Sequence, residues 1–186
     1  VRGDSPERIP GGIASLAWTP DGLAIGGCGG RLHLLGPDLN TSWFRLRGQV
    51  AALTALPDGR IAAAGPLNRA VLVWHPGTGS LDWYPAPRVR CLAWTSSGLA
   101  AGTTDGRVLW LPAGESLALN GGPVNALAAW GEHVAVGCQD GGVRLLPDRL
   151  LLRHEGEVTA LAFAAGRVAS GGQGGRVYLH HVLDSE

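Results

Sequence analysis

A short sequence pattern recurs five times along the 186-residue chain, and that repetition limits the folds open to it more than any single residue does. The segments Ile13-Ala14-Ser15-Leu16, Val50-Ala51-Ala52-Leu53, Val89-Arg90-Cys91-Leu92, Val124-Asn125-Ala126-Leu127 and Val158-Thr159-Ala160-Leu161 align, with their leucines 37, 39, 35 and 34 residues apart. After each comes a turn, then a run of small residues ending in glycine: Leu23 to Gly26, Ile61 to Gly65, Leu99 to Gly102, Val134 to Gly137 and Val168 to Gly171. A second apolar stretch follows, such as Arg107-Val108-Leu109-Trp110-Leu111 or Arg176-Val177-Tyr178-Leu179. A near-constant period of this size means one supersecondary unit used repeatedly, none of which buries its apolar face alone. Function in such a chain is expected in a surface assembled from several units rather than in one catalytic motif.

Within a unit the apolar residues alternate with period two, and the stretches are rich in β-branched and aromatic residues, which argues for strands. No long 3.6-residue period is present, which argues against helical repeats. Turns of the kind Thr19-Pro20-Asp21-Gly22 and Leu56-Pro57-Asp58-Gly59 separate the first two strands, proline presetting φ and glycine accepting positive φ. Asp105-Gly106 and Asp140-Gly141 mark a second tight turn, since Asp-Gly is a strong hairpin signal. Short fourth strands are expected at 42–46, 81–84, 116–119 and 150–153. Each unit then reads as a four-stranded antiparallel meander, with Gly and Ala crowded into its inner strands so that neighbouring sheets can pack closely near an axis.

Composition agrees with this reading. The chain is 45% hydrophobic and 16% charged, with 30 glycines and 12 prolines, which excludes disorder. Its net charge of zero gives no general field toward nucleic acid or an anionic membrane. No apolar run is long enough for a transmembrane helix. A chain opening on Val1 is expected to be an excerpt, a processed form or the product of an alternative start, and a cytoplasmic location is expected. Cys28, Cys91 and Cys138 form no C-x-x-C pair and are expected to be small buried hydrophobes in a reducing compartment.

The pattern Val158-x-x-Leu161-x-Phe163, a turn, Val168-Ala169-Ser170-Gly171-Gly172, then Gly175-Arg176-Val177-x-Leu179, resembles a WD40 repeat. His154, four residues before Val158, stands near the family's Gly-His histidine, and Trp74 stands where the family places the Trp of Trp-Asp. The resemblance extends from residue 13 to about 182. It implies an all-β, WD40-like β-propeller of four-stranded antiparallel blades. Five repeats are visible, at 13–48, 49–87, 88–121, 122–156 and 157–186, after an N-terminal segment 1–12. Glu7-Arg8-Ile9-Pro10 is a candidate strand for closing the last blade. The ring then closes at five blades or belongs to a larger propeller, and the expectation leans to the larger one. No repeat holds the family's whole Asp-His-Ser/Thr-Trp hydrogen-bond network, so apolar packing is expected to hold the blades.

The resemblance also implies which surface binds. In propellers of this kind the loops entering the inner strands and the second turns share one face. The mapped positions are Gly12, Ala14 and Cys28; Gln49, Ala51 and Leu67; Arg88, Arg90 and Thr104; Pro123, Asn125 and Gln139; and Glu157, Thr159 and Gln173. The last three repeats carry the polar residues, so Arg88, Arg90, Thr104, Asn125, Gln139, Glu157, Thr159 and Gln173 are the candidate partner-binding residues. Arginine is favoured at interaction hot spots, which puts Arg88 and Arg90 first. A non-catalytic protein-interaction scaffold or sensor module is expected, with other proteins as partners and no cofactor. The alternative is a glycan- or small-molecule-binding propeller drawing on the seven tryptophans. Arg2-Gly3-Asp4-Ser5 and the Gly26–Gly30 run are too short or too incomplete to carry adhesion or phosphate binding, and His180 and His181 point to opposite faces of one strand.

Overall fold

The alternating stretches and their tight turns give nineteen short strands and no helix among the described residues of the computed structural model, which are 11–36, 41–65, 67–147 and 149–182. They form five antiparallel sheets in chain order. The first holds β1 (Ile13–Thr19), β2 (Gly22–Gly27), β3 (Arg31–Leu35) and β4 (Thr41–Arg45). The second holds β5 (Ala52–Ala55), β6 (Ile61–Ala64), β7 (Ala70–Trp74) and β8 (Leu81–Pro85). The third holds β9 (Val89–Thr95), β10 (Gly98–Thr103), β11 (Arg107–Leu111) and β12 (Ser116–Ala118). The fourth holds β13 (Val124–Trp130), β14 (His133–Cys138), β15 (Gly142–Leu145) and β16 (Arg149–Arg153). The fifth has three described strands, β17 (Val158–Ala164), β18 (Arg167–Gly172) and β19 (Val177–His181). The closing strand expected at Glu7–Pro10 lies outside the described residues.

Each sheet is a simple meander, and each first strand packs on the first strand of the next sheet: β1 on β5, β5 on β9, β9 on β13 and β13 on β17. The apolar residues gather into four clusters, one per joint between consecutive sheets. The second strands explain why small residues recur. Along β6, Ile61 and Ala63 face back into the cluster shared with the first sheet, while Ala62 and Ala64 face forward into the cluster shared with the third. A strand buried on both faces leaves no polar side and little room for bulk.

The joint has a recurring close contact. A side chain added at Gly26, Gly102 or Gly137 would run into Val50, Val124 or Val158, the valine at or just before the start of the next inner strand. Those three valines are fully buried, and burying each contributes roughly 1.5–3 kcal/mol.

The polar interactions within the blades are varied, and no repeat assembles all four members of the family network. In the fifth blade His154 Nε2 and Ser170 Oγ are 2.9 Å apart, and Tyr178 meets the imidazole edge-on at 4.9 Å. Burial, with the nearby His180 a smaller influence, pushes the His154 imidazole below its usual 6.5. In the fourth blade an arginine pair takes over. Asp140 accepts from Arg144 Nη2 at 2.8 Å and Arg153 Nη1 at 2.9 Å, and from the Gly142 N–H at 2.9 Å. The Arg144 hydrogen bond is the main force holding the Asp140 carboxyl down at about 2. In the third blade the Thr103 hydroxyl donates to Asp105 and accepts from the Arg107 N–H at 3.1 Å.

One expectation about single residues changes, and one pair of repeat-equivalent residues diverges. Cys28 is exposed, whereas Cys91 is half-buried and Cys138 buried; all three are free thiols. Trp18 shares its repeat position with Phe163, yet Phe163 is buried against the fourth sheet and Trp18 stands in solvent. Among the described residues a preceding sheet packs on Phe163 and none packs on Trp18, and that is the physical difference.

Candidate functional site

The candidate face is built from backbone before side chains enter. In four of the sheets the N–H in the turn after the second strand donates to the carbonyl of the loop leading into the first. The bonds are Cys28 to Gly12 at 3.0 Å, Thr104 to Arg88 at 3.1 Å, Gln139 to Pro123 at 2.9 Å and Gln173 to Glu157 at 3.0 Å. Loop and turn are thereby clamped side by side at the same end of every one of these sheets. The Gly30, Gly106 and Gly141 carbonyls accept from Leu46, Leu119 and His154 at 2.7, 2.8 and 2.8 Å, tying the end of the outer strand to the same turn.

A β-bulge then sets the side chains. The pairing slips at the start of the inner strand in these same four sheets: Ile13 pairs with Gly27 but Ser15 with Gly26, and the equivalent slips fall at Val89/Cys91, Val124/Ala126 and Val158/Ala160. The residue skipped by the ladder is Ala14, Arg90, Asn125 or Thr159. A bulge leaves its extra residue unpaired and re-aims the side chain. Sequence reasoning placed these four positions on the face by repeat alignment; the bulge is the device it did not see.

Three candidates meet across the joint between the fourth and fifth sheets. Asn125 Nδ2 donates to Glu157 Oε2 at 3.2 Å, and Gln139 Nε2 donates to Glu157 Oε1 at 3.1 Å. The Glu157 carboxylate is half-buried and is held by amides from the neighbouring blade rather than by an arginine. Gln173 is exposed, and its backbone N–H is bonded to the Glu157 carbonyl. Thr159 is exposed, with its hydroxyl 3.4 Å from the Gly171 carbonyl.

The third sheet contributes a different character. Arg88 adopts a positive φ of 58°, uncommon for a residue with a side chain, and the Thr104 N–H bond to its carbonyl holds that loop. Arg88 and Arg90 are both exposed, and among the described residues neither guanidinium is paired with a carboxylate. By contrast, Arg60, Arg107, Arg144, Arg153 and Arg176 all have acidic partners. At the mapped positions the first two sheets bring mostly small or apolar residues to this face, with Gln49 the polar exception.

At the opposite end of the strands lies an apolar cleft of about 220 Å³ in the joint between the second and third sheets, with Val73, Tyr84, Trp94 and Leu111 in its wall. It is part of that joint's packing. Among the described residues no group of three or more His, Cys, Asp or Glu could hold a metal ion, and no helix is long and apolar enough to cross a membrane.

No protein-family model and no curated protein matches the chain. Solved structures do. The structure of U3-55K matches over 96% of this chain and 64% of its own, at 18% identity and a TM-score of 0.82. The mitotic checkpoint complex matches over 98% of this chain and 70% of its own, at 19% identity and a TM-score of 0.77. The computationally designed Ika8 protein matches over 91% of this chain and 58% of its own, at 24% identity and a TM-score of 0.70. The chain therefore spans between 58% and 70% of the length of these neighbours. The first two are WD40 propeller proteins, and with five sheets of three or four antiparallel strands arranged around their first strands, this chain has the fold of a WD40-like β-propeller.

Proposed function

We propose that the chain is a non-catalytic protein-interaction module, and that its partner docks on the face formed by Arg88, Arg90, Thr104, Asn125, Gln139, Glu157, Thr159 and Gln173. The observation that carries the reading is the pair of exposed guanidiniums at Arg88 and Arg90, unneutralised by any described carboxylate and presented from a clamped loop and a bulge. Arginines presented this way suit bidentate capture of carboxylates on a partner protein. Rigid presentation lowers the ordering cost of binding. Two sheets further on, Glu157 with its two amide donors offers a fixed acceptor for a partner donor. Of the eight candidates Glu157 is the one carboxylate, and it has no second acid among them for paired acid–base chemistry.

The test is capture and cross-linking of partners from the native source by the chain and by an Arg88→Ala/Arg90→Ala variant. Loss of one acidic partner at unchanged melting temperature is the expected outcome. A control variant, Arg149→Ala/Arg167→Ala, alters two other exposed arginines and is expected to retain the partner. Equal capture by both variants would remove the Arg88–Arg90 patch from the docking face.

A further inference from the structure

We propose that Arg69 completes a three-arginine patch with Arg88 and Arg90, and that the group this patch takes is a phosphorylated serine or threonine on the partner protein. The proposal rests on the docking face proposed above and names the chemistry of what binds there. Arg69 is not among the eight candidates, because the other four repeats carry glycine at its place: Gly30, Gly106, Gly141 and Gly175. In the first, third and fourth sheets the carbonyl at that place accepts an N–H from the chain leaving the outer strand. In the second sheet Arg69 does the same, its carbonyl accepting the Ala86 N–H at 3.1 Å. The second blade therefore keeps this backbone contact and adds a guanidinium to it.

The backbone carries the three arginines to one place. From Ala86 the chain runs through Pro87 into Arg88, whose carbonyl accepts the Thr104 N–H at 3.1 Å, and the bulge presents Arg90 two residues further on. All three side chains are exposed, and among the described residues none is paired with a carboxylate. Asp105, the acid next to Thr104 in the chain, is already engaged: it accepts the Thr103 hydroxyl and lies 3.7 Å from Arg107 Nε. The half-buried Thr104 adds a hydroxyl that makes no hydrogen bond to any described residue. The free side-chain groups at this spot are therefore three cations and a hydroxyl donor.

Three like charges on one loop and turn repel one another until an anion joins them. A carboxylate brings one charge and two oxygens. A phosphomonoester brings about −1.5 to −2 charges at neutral pH and three strong acceptor oxygens, and the planar guanidinium fork matches phosphate geometry. The positive charge is too local for a polyanion. The chain's net charge is zero, and two sheets further along the same face stands the Glu157 carboxylate, held by amides and not by an arginine. A nucleic-acid strand or an anionic membrane laid across the face would meet that carboxylate, whereas a single phosphorylated side chain would not.

The test has two parts. Arginine Nε–Hε signals are followed by NMR while the 186-residue chain is titrated with phenyl phosphate and, separately, with phenylacetate. Arg69, Arg88 and Arg90 are expected to move together with one Kd for phenyl phosphate, about tenfold or more below that for phenylacetate, while the exposed Arg149 and Arg167 stay still. Separate constants for the three, or no movement, refutes the shared patch. Peptide pools with random flanks and a fixed central phosphoserine, aspartate or serine are then passed over the immobilised chain. The phosphoserine pool is expected to be retained about tenfold or more above the other two. Arg69→Ala is expected to remove that excess at unchanged melting temperature, and Arg88→Ala/Arg90→Ala to abolish retention. Equal retention of the phosphoserine and aspartate pools, at any level, overturns the proposal and leaves the docking face itself standing. Full retention by Arg88→Ala/Arg90→Ala sinks both readings, and full retention by Arg69→Ala sinks this one. Displacement of the pool by polyuridylate RNA, by phosphatidylserine vesicles or by inorganic phosphate at equal phosphate concentration would reassign the patch to that anion and refute the proposal too.

Discussion

Replacing Gly141 by alanine isolates the close approach that clamps a turn on the proposed docking face. Gly141 has a φ of +81°, and a Cβ there meets the His154 carbonyl and, at 2.8 Å, the Gly156 carbonyl. Holding alanine in the left-handed region costs roughly 1–2 kcal/mol. Forcing backbone apart in a packed site adds about 1–3 kcal/mol, since neither oxygen belongs to a flexible side chain. The expected loss is about 2–5 kcal/mol, and at ~2–4 °C per kcal/mol for a chain of this size the melting temperature falls by roughly 4–20 °C. Gly175 occupies the same turn in the fifth blade with a φ of +70° and nothing described within 4 Å, so Gly175→Ala bears the conformational cost alone. Thermal melts followed by circular dichroism and urea titrations at matched ionic strength measure both. The difference between the two variants is the contribution of the carbonyl contacts. Equal losses would refute the reasoning, because they would mean that backbone conformation, and not the close approach to the outer strand, is what glycine supplies at this turn.

Acid should act on the fourth and fifth blades in different ranges. Asp140 has its folded value lowered from 3.8 to about 2, so the stability it contributes is complete above about pH 4 and is lost between there and about pH 2. Asp140→Asn is expected to flatten that part of the stability–pH curve and leave the part above pH 4 sloping as before. His154 is also depressed in the folded state, from 6.5, so its contribution is complete above that value and declines as the pH drops below it. Imidazole chemical shifts by NMR would report the lowered value directly. Ser170→Ala removes the hydroxyl 2.9 Å from His154 Nε2 and leaves a buried imidazole nitrogen unpaired, at a cost of about 1–3 kcal/mol in chemical denaturation. The thiols should separate by reactivity. Cys28 is exposed and is expected to label within the dead time of a thiol reagent, while Cys91, pushed up to about 12 by burial, and the buried Cys138 label only on unfolding.

The meander within each unit was legible because its signals are local. Alternation over Arg176-Val177-Tyr178-Leu179, the Asp140-Gly141 turn and the small-residue run Val134–Gly137 each speak of a few residues at a time, and each forms the strand or turn it indicates. The alignment of repeats also put Arg90, Asn125 and Thr159 at one register position. What the sequence could not convey depends on neighbours. Trp18 and Phe163 are interchangeable in the pattern, and only the presence of a preceding sheet buries one and leaves the other bare. The Glu157 cluster needed Asn125 and Gln139 to be brought across a joint, which no spacing along the chain announces. Arg144 and Arg153 look like ordinary strand-surface arginines until Asp140 is seen between them.

The skipped residue of four of the inner strands has a consequence for how such a face changes over time. Ala14, Arg90, Asn125 and Thr159 sit outside the ladder, so exchanging one of them alters neither a pairing register nor a valine seated on a glycine. Four of the five blades therefore carry one position whose exchange leaves the strand pairing as it is. A lineage built on this repeat can rewrite the proposed docking face one letter per bulged blade, trying charges, amides and hydroxyls in combination, while the strand pairing that presents them is inherited unaltered.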